Sequence, residues 1–513
     1  MIPAKRPMIG VHLDLKYFMP SKRYLIQWVR RLAELGVNTL LLEYEDKFPF
    51  QKRPFLRDEQ AFAPDELHEF LAAARQAGLQ IIPLVQTLSH LEFALGHEEL
   101  ASLREAPDVP TQICPSNPAA LAFVNELIDE VLAFHGPDEW FHIGGDESWF
   151  MGSCPTCQAR LAQSDKMTFW ANHMRPLIQK VQAAGKRVIL WDDVFWPKPD
   201  AVKSVNLPAG IVLGSWNYSE RKFLPDGKLE QMLLTYQTAG IEVLGASCVN
   251  WGVLAPMHDH CLGNVVGWAR EIQRRNLLGV LNTAWACFHI PLPLEMTQVA
   301  GAAAAFDQSV DPLSDAWQLA FLADEYGCDA RDVPTALRQL GTAWELGIDG
   351  HERPIAPIVY GYMDMVLHYP GGQAERRRRG GYPLDWAEVD FNALFAKKIQ
   401  LLRDFRDPSV IRRKLDELEA AYAAAQPVLA DLARRAKRQQ STAELLACFA
   451  EMKLWYTRAV RQLVYGEGDA VNLRQVIVPL RERTRAALAP FYEKASLQRM
   501  DHILMEPMIT ALR

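Results

Sequence analysis

The chain predicts an α/β fold, a (β/α)8 TIM barrel followed by an all-α C-terminal domain. Three observations carry that expectation. Apolar runs of strand length alternate with helix-period segments through the first 310 residues, the order that builds a parallel sheet. Glycines stand just past several of the helical segments, where a helix stops. Eight strand–helix units in about 300 residues match the size of such a barrel. A doubly wound open sheet is the rival, but no glycine-rich phosphate loop follows the first strand.

The strands are expected at 8–16, 38–45, 79–87, 140–147, 186–195, 211–218, 241–250 and 277–285. Helices are expected between them at 21–35, 64–77, 118–134 and 228–239. Ser21 and Asn117, the latter followed by Pro118, suit helix starts. Gly36, Gly78, Gly185 and Gly240 are the matching stops. From residue 311 the strand signals cease. Leu415, Leu418, Tyr422, Ala425 and Leu429 recur at spacings of three and four, as do Leu445, Phe449, Met452, Tyr456, Ala459 and Leu463. Such stripes must be buried, either on the barrel or on a second copy of the chain, so a packing appendage and a homodimer are both open. The expected division is a catalytic barrel over 1–310 and a helical domain over 311–513.

In a barrel of this kind the working residues sit where strands end, on the face built by the strand-to-helix loops. The first strand ends Asp14-Leu15-Lys16, the second Glu43-Tyr44-Glu45-Asp46, and the third Gln86-Thr87 with His90 just beyond. Then come Asp146-Glu147, Trp191-Asp192-Asp193, Trp216-Asn217-Tyr218, Asn250-Trp251 and Trp285. Carboxylates and amides hold hydroxyls by hydrogen bonds, and aromatic faces stack on the C–H surfaces of sugars. Large aromatics also fill barrel–helix interfaces, which accounts for one or two of these tryptophans but not for indoles at four corresponding positions. The rim reads as a saccharide pocket.

The stretch Trp140-Phe141-His142-Ile143-Gly144-Gly145-Asp146-Glu147 is the most specific. Placing one acid beside another at the end of a buried strand is costly. A bare Asp-Glu pair would read as a helix cap; the two glycines, His142 and the position in the barrel argue for chemistry instead. A glycosidic bond needs a proton on its leaving oxygen and negative charge near the sugar carbon, and carboxyls supply both.

The segment His142-Ile143-Gly144-Gly145-Asp146-Glu147 resembles the signature of glycoside hydrolase family 20, the exo-β-N-acetylhexosaminidases. Its surroundings resemble the hexosaminidase D-type branch more closely. That likeness lies in Gly10-Val11-His12-Leu13-Asp14-Leu15-Lys16, Leu41-Leu42-Glu43-Tyr44-Glu45-Asp46-Lys47-Phe48-Pro49 and Ile82-Pro83-Leu84-Val85-Gln86-Thr87-Leu88-Ser89-His90-Leu91-Glu92-Phe93. It covers roughly the barrel and does not extend clearly beyond it.

The resemblance implies retaining hydrolysis in which the substrate's own 2-acetamido oxygen attacks the anomeric carbon, an exception to the usual protein nucleophile. It implies that Asp146 orients the acetamido group, while Glu147 protonates the leaving oxygen and then activates water. Trp191, Trp216 and Trp285 would wall the sugar subsite, and Tyr218 would donate its hydroxyl to the acetamido oxygen. Better-known branches take that tyrosine from the seventh strand, where Asn250-Trp251 stands here. They also carry an arginine on the first strand where this chain has Lys16, a point donor instead of a fork. Asp14, Gln86 and Glu295 are further candidates for hydroxyl contacts; His90 and His142 are either participants or satisfied supports. The terminal sugar is N-acetylgalactosamine or N-acetylglucosamine, the D-type branch leaning towards accepting the former at least as well. The chemistry requires no cofactor and no metal.

Two rival functions stand beside this one: a non-catalytic amino-sugar-binding barrel, and a retaining glycosidase that uses Glu45 or Asp193 as nucleophile. The eight cysteines are scattered except for Cys154-Pro155-Thr156-Cys157. That pair is a redox motif or half a zinc site, yet no second such motif or histidine cluster completes four ligands, and two thiols at a helix start is the ordinary reading. His258-Asp259-His260 lacks helical ligand spacing. A net charge of −7 argues against a dedicated nucleic-acid binder. No apolar stretch is long enough to span a bilayer, and the first residues hold no apolar core of a secretion signal. The expected setting is the cytoplasm, and the expected partner a small glycan or glycoconjugate with a terminal N-acetylhexosamine, without nucleic acid or membrane. Arg376-Arg377-Arg378-Arg379, between glycine pairs, reads as an exposed loop.

Overall fold

The computed structural model of the chain describes residues 6–219, 227–252, 254–342, 345–348, 351–354, 391–405 and 407–512. Eight parallel strands close into a barrel in sequence order: β1 (Met8–Asp14), β2 (Thr39–Glu43), β3 (Gln80–Leu84), β4 (Trp140–His142), β5 (Arg187–Trp191), β6 (Val212–Trp216), β7 (Glu242–Cys248) and β8 (Gly279–Thr283). The ring closes where Met8 of β1 registers with Gly279 of β8. Every expected strand is present, and each stops short of its expected C-terminal end. There the backbone leaves the ladder for turns and short 3-10 segments, such as Glu45–Lys47 after β2 and Asp193–Phe195 after β5, which form the rim. Apolar patterning therefore outlasts hydrogen-bonded pairing.

The connecting helices follow their sequence signals. Ser21 caps Lys22–Glu34 by accepting from Tyr24 N at 3.3 Å, and Asn117 caps Pro118–Phe134 by accepting from Ala119 N at 2.9 Å. The crossover from β5 to β6 is made of the short 3-10 turns Asp193–Phe195 and Pro199–Lys203.

Successive side chains of a strand face opposite sides, so one parity points into the barrel and the other towards the helices. The lower interior is apolar, filled by Met8, Leu41, Ile82, Trp140, Ile189, Val212, Leu244 and Leu281. Stepping along the same parity towards the strand ends reaches His12 and Asp14, Glu43, Gln86, His142, Trp191 and Trp216. One face of each strand thus runs from a dry plug at the bottom to polar and aromatic groups at the top.

The C-terminal region is built of helices, among them Pro408–Arg435 and Gln440–Tyr465. The expected stripes are buried, apart from a half-buried Leu463. The helices dock on the barrel. Ser496 accepts from Met19 N and donates to Gln60 Oε1, both at 2.6 Å, and Arg499 pairs with Asp58 at 2.7 Å. One departure from an all-helical region is the antiparallel pair Glu345–Ile348 and His351–Pro354. Asp349-Gly350, which separates them in sequence, is a strong hairpin signal that the helical text around it masks. The arginine run 376–379 lies outside the described residues. Among the described residues no helix is long and apolar enough to cross a membrane.

Candidate active site

The loop after β4 begins with a backbone reversal. Gly144 and Gly145 have φ of +62° and +98°. A Cβ on Gly144 would lie 2.2 Å from Gln86 Oε1, and one on Gly145 would lie 3.0 Å from both Met174 and Trp170. Glycine is therefore required by conformation and by space. His142 accepts from Gly144 N at 2.9 Å, and the Trp170 indole donates to Gly145 O at 2.7 Å, so the turn is held from both sides. Burial pushes the His142 imidazole down to about 3, leaving it a neutral acceptor. Beyond the turn come Asp146 and Glu147. Glu147, Glu45 and His90 are non-glycine residues at φ of +46°, +51° and +56°, each shortly past its own strand. Backbone strain of this kind collects where a site needs particular side-chain directions.

The two acids have unequal surroundings. Asp146 is 7% exposed; its Oδ2 lies 3.3 Å from His90 Nε2, while its buried Oδ1 has no hydrogen-bond partner among the described residues. Glu147 keeps about a third of its side chain exposed (34%) and lies 3.6 Å from the same His90 nitrogen. Burial works against a charge on His90, but Asp146 outweighs it and raises the imidazolium to about 10. A cation thus sits between the two carboxylates. The Glu147 backbone N–H donates to Asp193 Oδ2 at 2.9 Å. Burial, reinforced by the Asp146 charge, pushes the Asp193 carboxyl well up.

Beneath them runs a buried polar network. His12 meets Glu43 at 3.2 Å, and Gln86 donates to the other Glu43 oxygen at 2.8 Å. Burial opposes charge on Glu43, but hydrogen bonding and charge from His12, with Lys16 and Gln86, hold it at about 2. Asp14 accepts from the backbone of Lys16 and Ala286, both at 2.9 Å; burial and then Glu43 raise its pKa. Lys16 Nζ lies 3.2 Å from Glu45 and 4.0 Å from Glu92, so its charge is already engaged.

Aromatic side chains gather where β5, β6 and β8 end. Trp191 is 1% exposed and packs on His142 at 4.3 Å and on Trp285 at 6.4 Å. Trp216 stacks on Tyr218 at 5.3 Å. The Trp285 indole N–H donates to the Tyr218 hydroxyl at 3.0 Å, and the same hydroxyl bonds the Thr283 side chain, whose own proton goes to Ser247 O. Burial pushes the Tyr218 phenol well up, and the charges of Cys248 and Asp146 add to that.

Of the residues picked from sequence, the β4 acids with His90, and Trp216 with Tyr218 and Trp285, are brought together at the mouth. Gln86 and Asp14 serve the network below. Glu295 stands apart: it is 2% exposed behind the rim, accepts from Asn250 at 2.9 Å, and is pushed by burial to about 8. Asn250 in turn bonds the Trp285 backbone at 3.0 and 3.1 Å. Sequence reasoning left out Asn250 as a positioner of Trp285, and the pair His12–Glu43. The signal for the latter was an inward-facing acid on β2 two residues below Glu45. Reading also stopped short at Cys154 and Cys157, which Glu105 and Cys114 join in one cluster of possible metal ligands.

With this geometry in view, the catalytic-domain profile of glycosyl hydrolase family 20 matches residues 41–229, a span that holds Asp146, Glu147, Trp191, Trp216 and Tyr218. Hexosaminidase D of Bos taurus is 33% identical over 289 residues, 54% of this chain and 83% of that protein. Hexosaminidase D of Homo sapiens is 33% identical over 289 residues, 54% of this chain and 59% of its own. The beta-hexosaminidase subunit beta of Mus musculus is 25% identical over 232 residues, 41% and 42% of the two chains.

Proposed function

The chain belongs to glycosyl hydrolase family 20, with relatives of the hexosaminidase D type, and from that membership we propose how its barrel mouth works. It is an exo-β-N-acetylhexosaminidase that removes terminal β-linked N-acetylgalactosamine or N-acetylglucosamine by substrate-assisted, retaining hydrolysis. The observation that carries the assignment of roles is the asymmetry of the acid pair. Asp146 Oδ1 is a buried acceptor without a partner among the described residues, suited to the N–H of an acetamido group and to the positive charge that grows on it. Glu147 is the more open acid, suited to the leaving oxygen and then to water.

Tyr218 supports the same reading. Its hydroxyl takes the Trp285 N–H and rests on Thr283; turning its proton from Thr283 to the acetamido oxygen would align that oxygen for attack on the anomeric carbon. Trp191, Trp216 and Trp285 enclose the sugar. Lys16, Gln86 and Asp14 act mainly through the network that fixes Glu43 and Glu45. Glu45 is ion-paired with Lys16 and Asp193 holds the Glu147 backbone N–H through Oδ2, positions that suit supports of the acid pair. A cytoplasmic setting fits eight cysteines of which none forms a disulfide.

The test compares p-nitrophenyl β-glycosides of N-acetylgalactosamine and N-acetylglucosamine with those bearing a plain hydroxyl at carbon two. Only the acetamido sugars should be turned over, and an N-acetylhexosamine thiazoline should inhibit strongly. Equal hydrolysis of the plain sugars would refute the mechanism.

A further inference from the structure

We propose that Glu105, Cys114, Cys154 and Cys157 form a tetrahedral site for a thiophilic divalent cation of the zinc type, which pins the loop carrying Asp146 and Glu147 to the loop before it. The four ligand atoms lie within 4.8 Å of one another. Cys114 Sγ is 3.7 Å from Cys154 Sγ and 3.7 Å from Cys157 Sγ. A tetrahedral Zn–S distance of about 2.3 Å places two sulfurs roughly 3.8 Å apart, so the spacing is that of two ligand pairs around one ion. Glu105 Oε2, at 3.2 Å from Cys157 Sγ, takes the fourth corner.

The surroundings are those of a supported site. Glu105 is 1% exposed, and its Oε2 faces the Cys157 sulfur. Its other oxygen accepts from the backbone N–H groups of Gly152 (3.0 Å), Ser153 (2.8 Å) and Cys154 (3.1 Å), which fix the direction of the carboxylate. Cys157 N donates to Cys154 Sγ at 3.3 Å, and Ser116 Oγ lies 3.0 Å from Cys157 Sγ. A buried carboxylate among three thiols is costly without a cation and favourable with one. A disulfide explains the cluster less well: Cys114 is equally far from both other sulfurs, and any one bridge strands the third thiol and the acid.

Position gives the site its consequence. Glu105 and Cys114 belong to the loop after β3, whose earlier part carries His90; Cys154 and Cys157 close the loop after β4, whose earlier part carries the acid pair. Phe150 N donates to Gln112 Oε1 at 2.9 Å between the same two loops. The cation would therefore hold in register the two segments that bring His90 to Asp146 and Glu147, at a distance from the chemistry itself.

Elemental analysis of the untagged full chain, purified from zinc-supplemented medium, should find stoichiometric zinc that a mercurial thiol reagent releases. Cobalt substitution should give thiolate-to-cobalt charge-transfer bands and the intense d–d bands of a tetrahedral site. Cys114→Ser and Glu105→Gln should lose the metal or hold it more weakly, while Cys328→Ser, outside the cluster, keeps it. Absence of stoichiometric metal and of cobalt bands in the unmodified chain overturns the proposal, as does a disulfide joining any two of the three cysteines. These readouts do not depend on substrate turnover, so they succeed or fail separately from the hydrolytic mechanism.

Discussion

Asp146 and Glu147 are adjacent in sequence and chemically dissimilar in place, one sealed against His90 and the other open to the mouth. Glu147→Gln should lower turnover of substrates with poor leaving groups by about 10²–10⁴-fold, the usual scale of general acid catalysis, and that of activated aryl glycosides much less. Steady-state kinetics across a leaving-group series reads this directly; equal losses across the series would contradict the role. Asp146→Asn should slow both kinds of substrate and weaken thiazoline binding, measured as a raised inhibition constant. His90 provides a pH signature. Its pKa rises from 6.5 to about 10 on folding, so the folded state holds the proton more tightly. The resulting stabilisation is complete below pH 6.5 and fades as pH climbs through 10. The melting-temperature gap between wild type and His90→Gln should therefore be widest near pH 6 and close towards pH 10; a gap independent of pH would count against the pairing. At this scale the acid pair was legible because adjacent buried carboxylates are expensive. Their proposed roles came from the family resemblance; which acid is sealed was not legible, since that depends on where a distant histidine reaches.

At the scale of elements, the turn after β4 matters more than the strand itself. β4 pairs over only Trp140–His142 before Gly144 and Gly145 reverse the chain. Gly145→Ala should cost about 1–3 kcal/mol through the left-handed backbone, in addition to crowding Trp170 and Met174. Urea denaturation should show that loss, and turnover should fall with it because Asp146 follows the turn. Retention of both would mean that the glycine is dispensable. Strand order and spacing were visible as apolar alternation, whereas strand ends were not. At the rim the strand-like text runs on into turns such as Glu45–Lys47 and Asp193–Phe195, and periodicity records side chains, not hydrogen bonds.

Across the whole molecule, the C-terminal helices brace the barrel near the first two strand-to-helix loops. Ser496 is buried between Met19 and Gln60 and satisfies both. Ser496→Ala would leave an unpaired donor and acceptor and should destabilise the chain by about 1–3 kcal/mol in chemical denaturation. An unchanged midpoint would show that the contact is replaceable. The stripes on Pro408–Arg435 and Gln440–Tyr465 announced burial without naming the surface they bury against, because an apolar face is complementary to any other of suitable shape.

Sequence alone determined the barrel, its strand order and the acid pair, since each rests on local periodicity or on the expense of placing charge beside charge. Tertiary structure decided which acid is sealed, that Glu295 lies behind the rim, and that Glu105 and Cys114 reach the Cys154–Cys157 pair. Those outcomes depend on contacts between separate loops, and loop spacing in sequence does not encode distance in space.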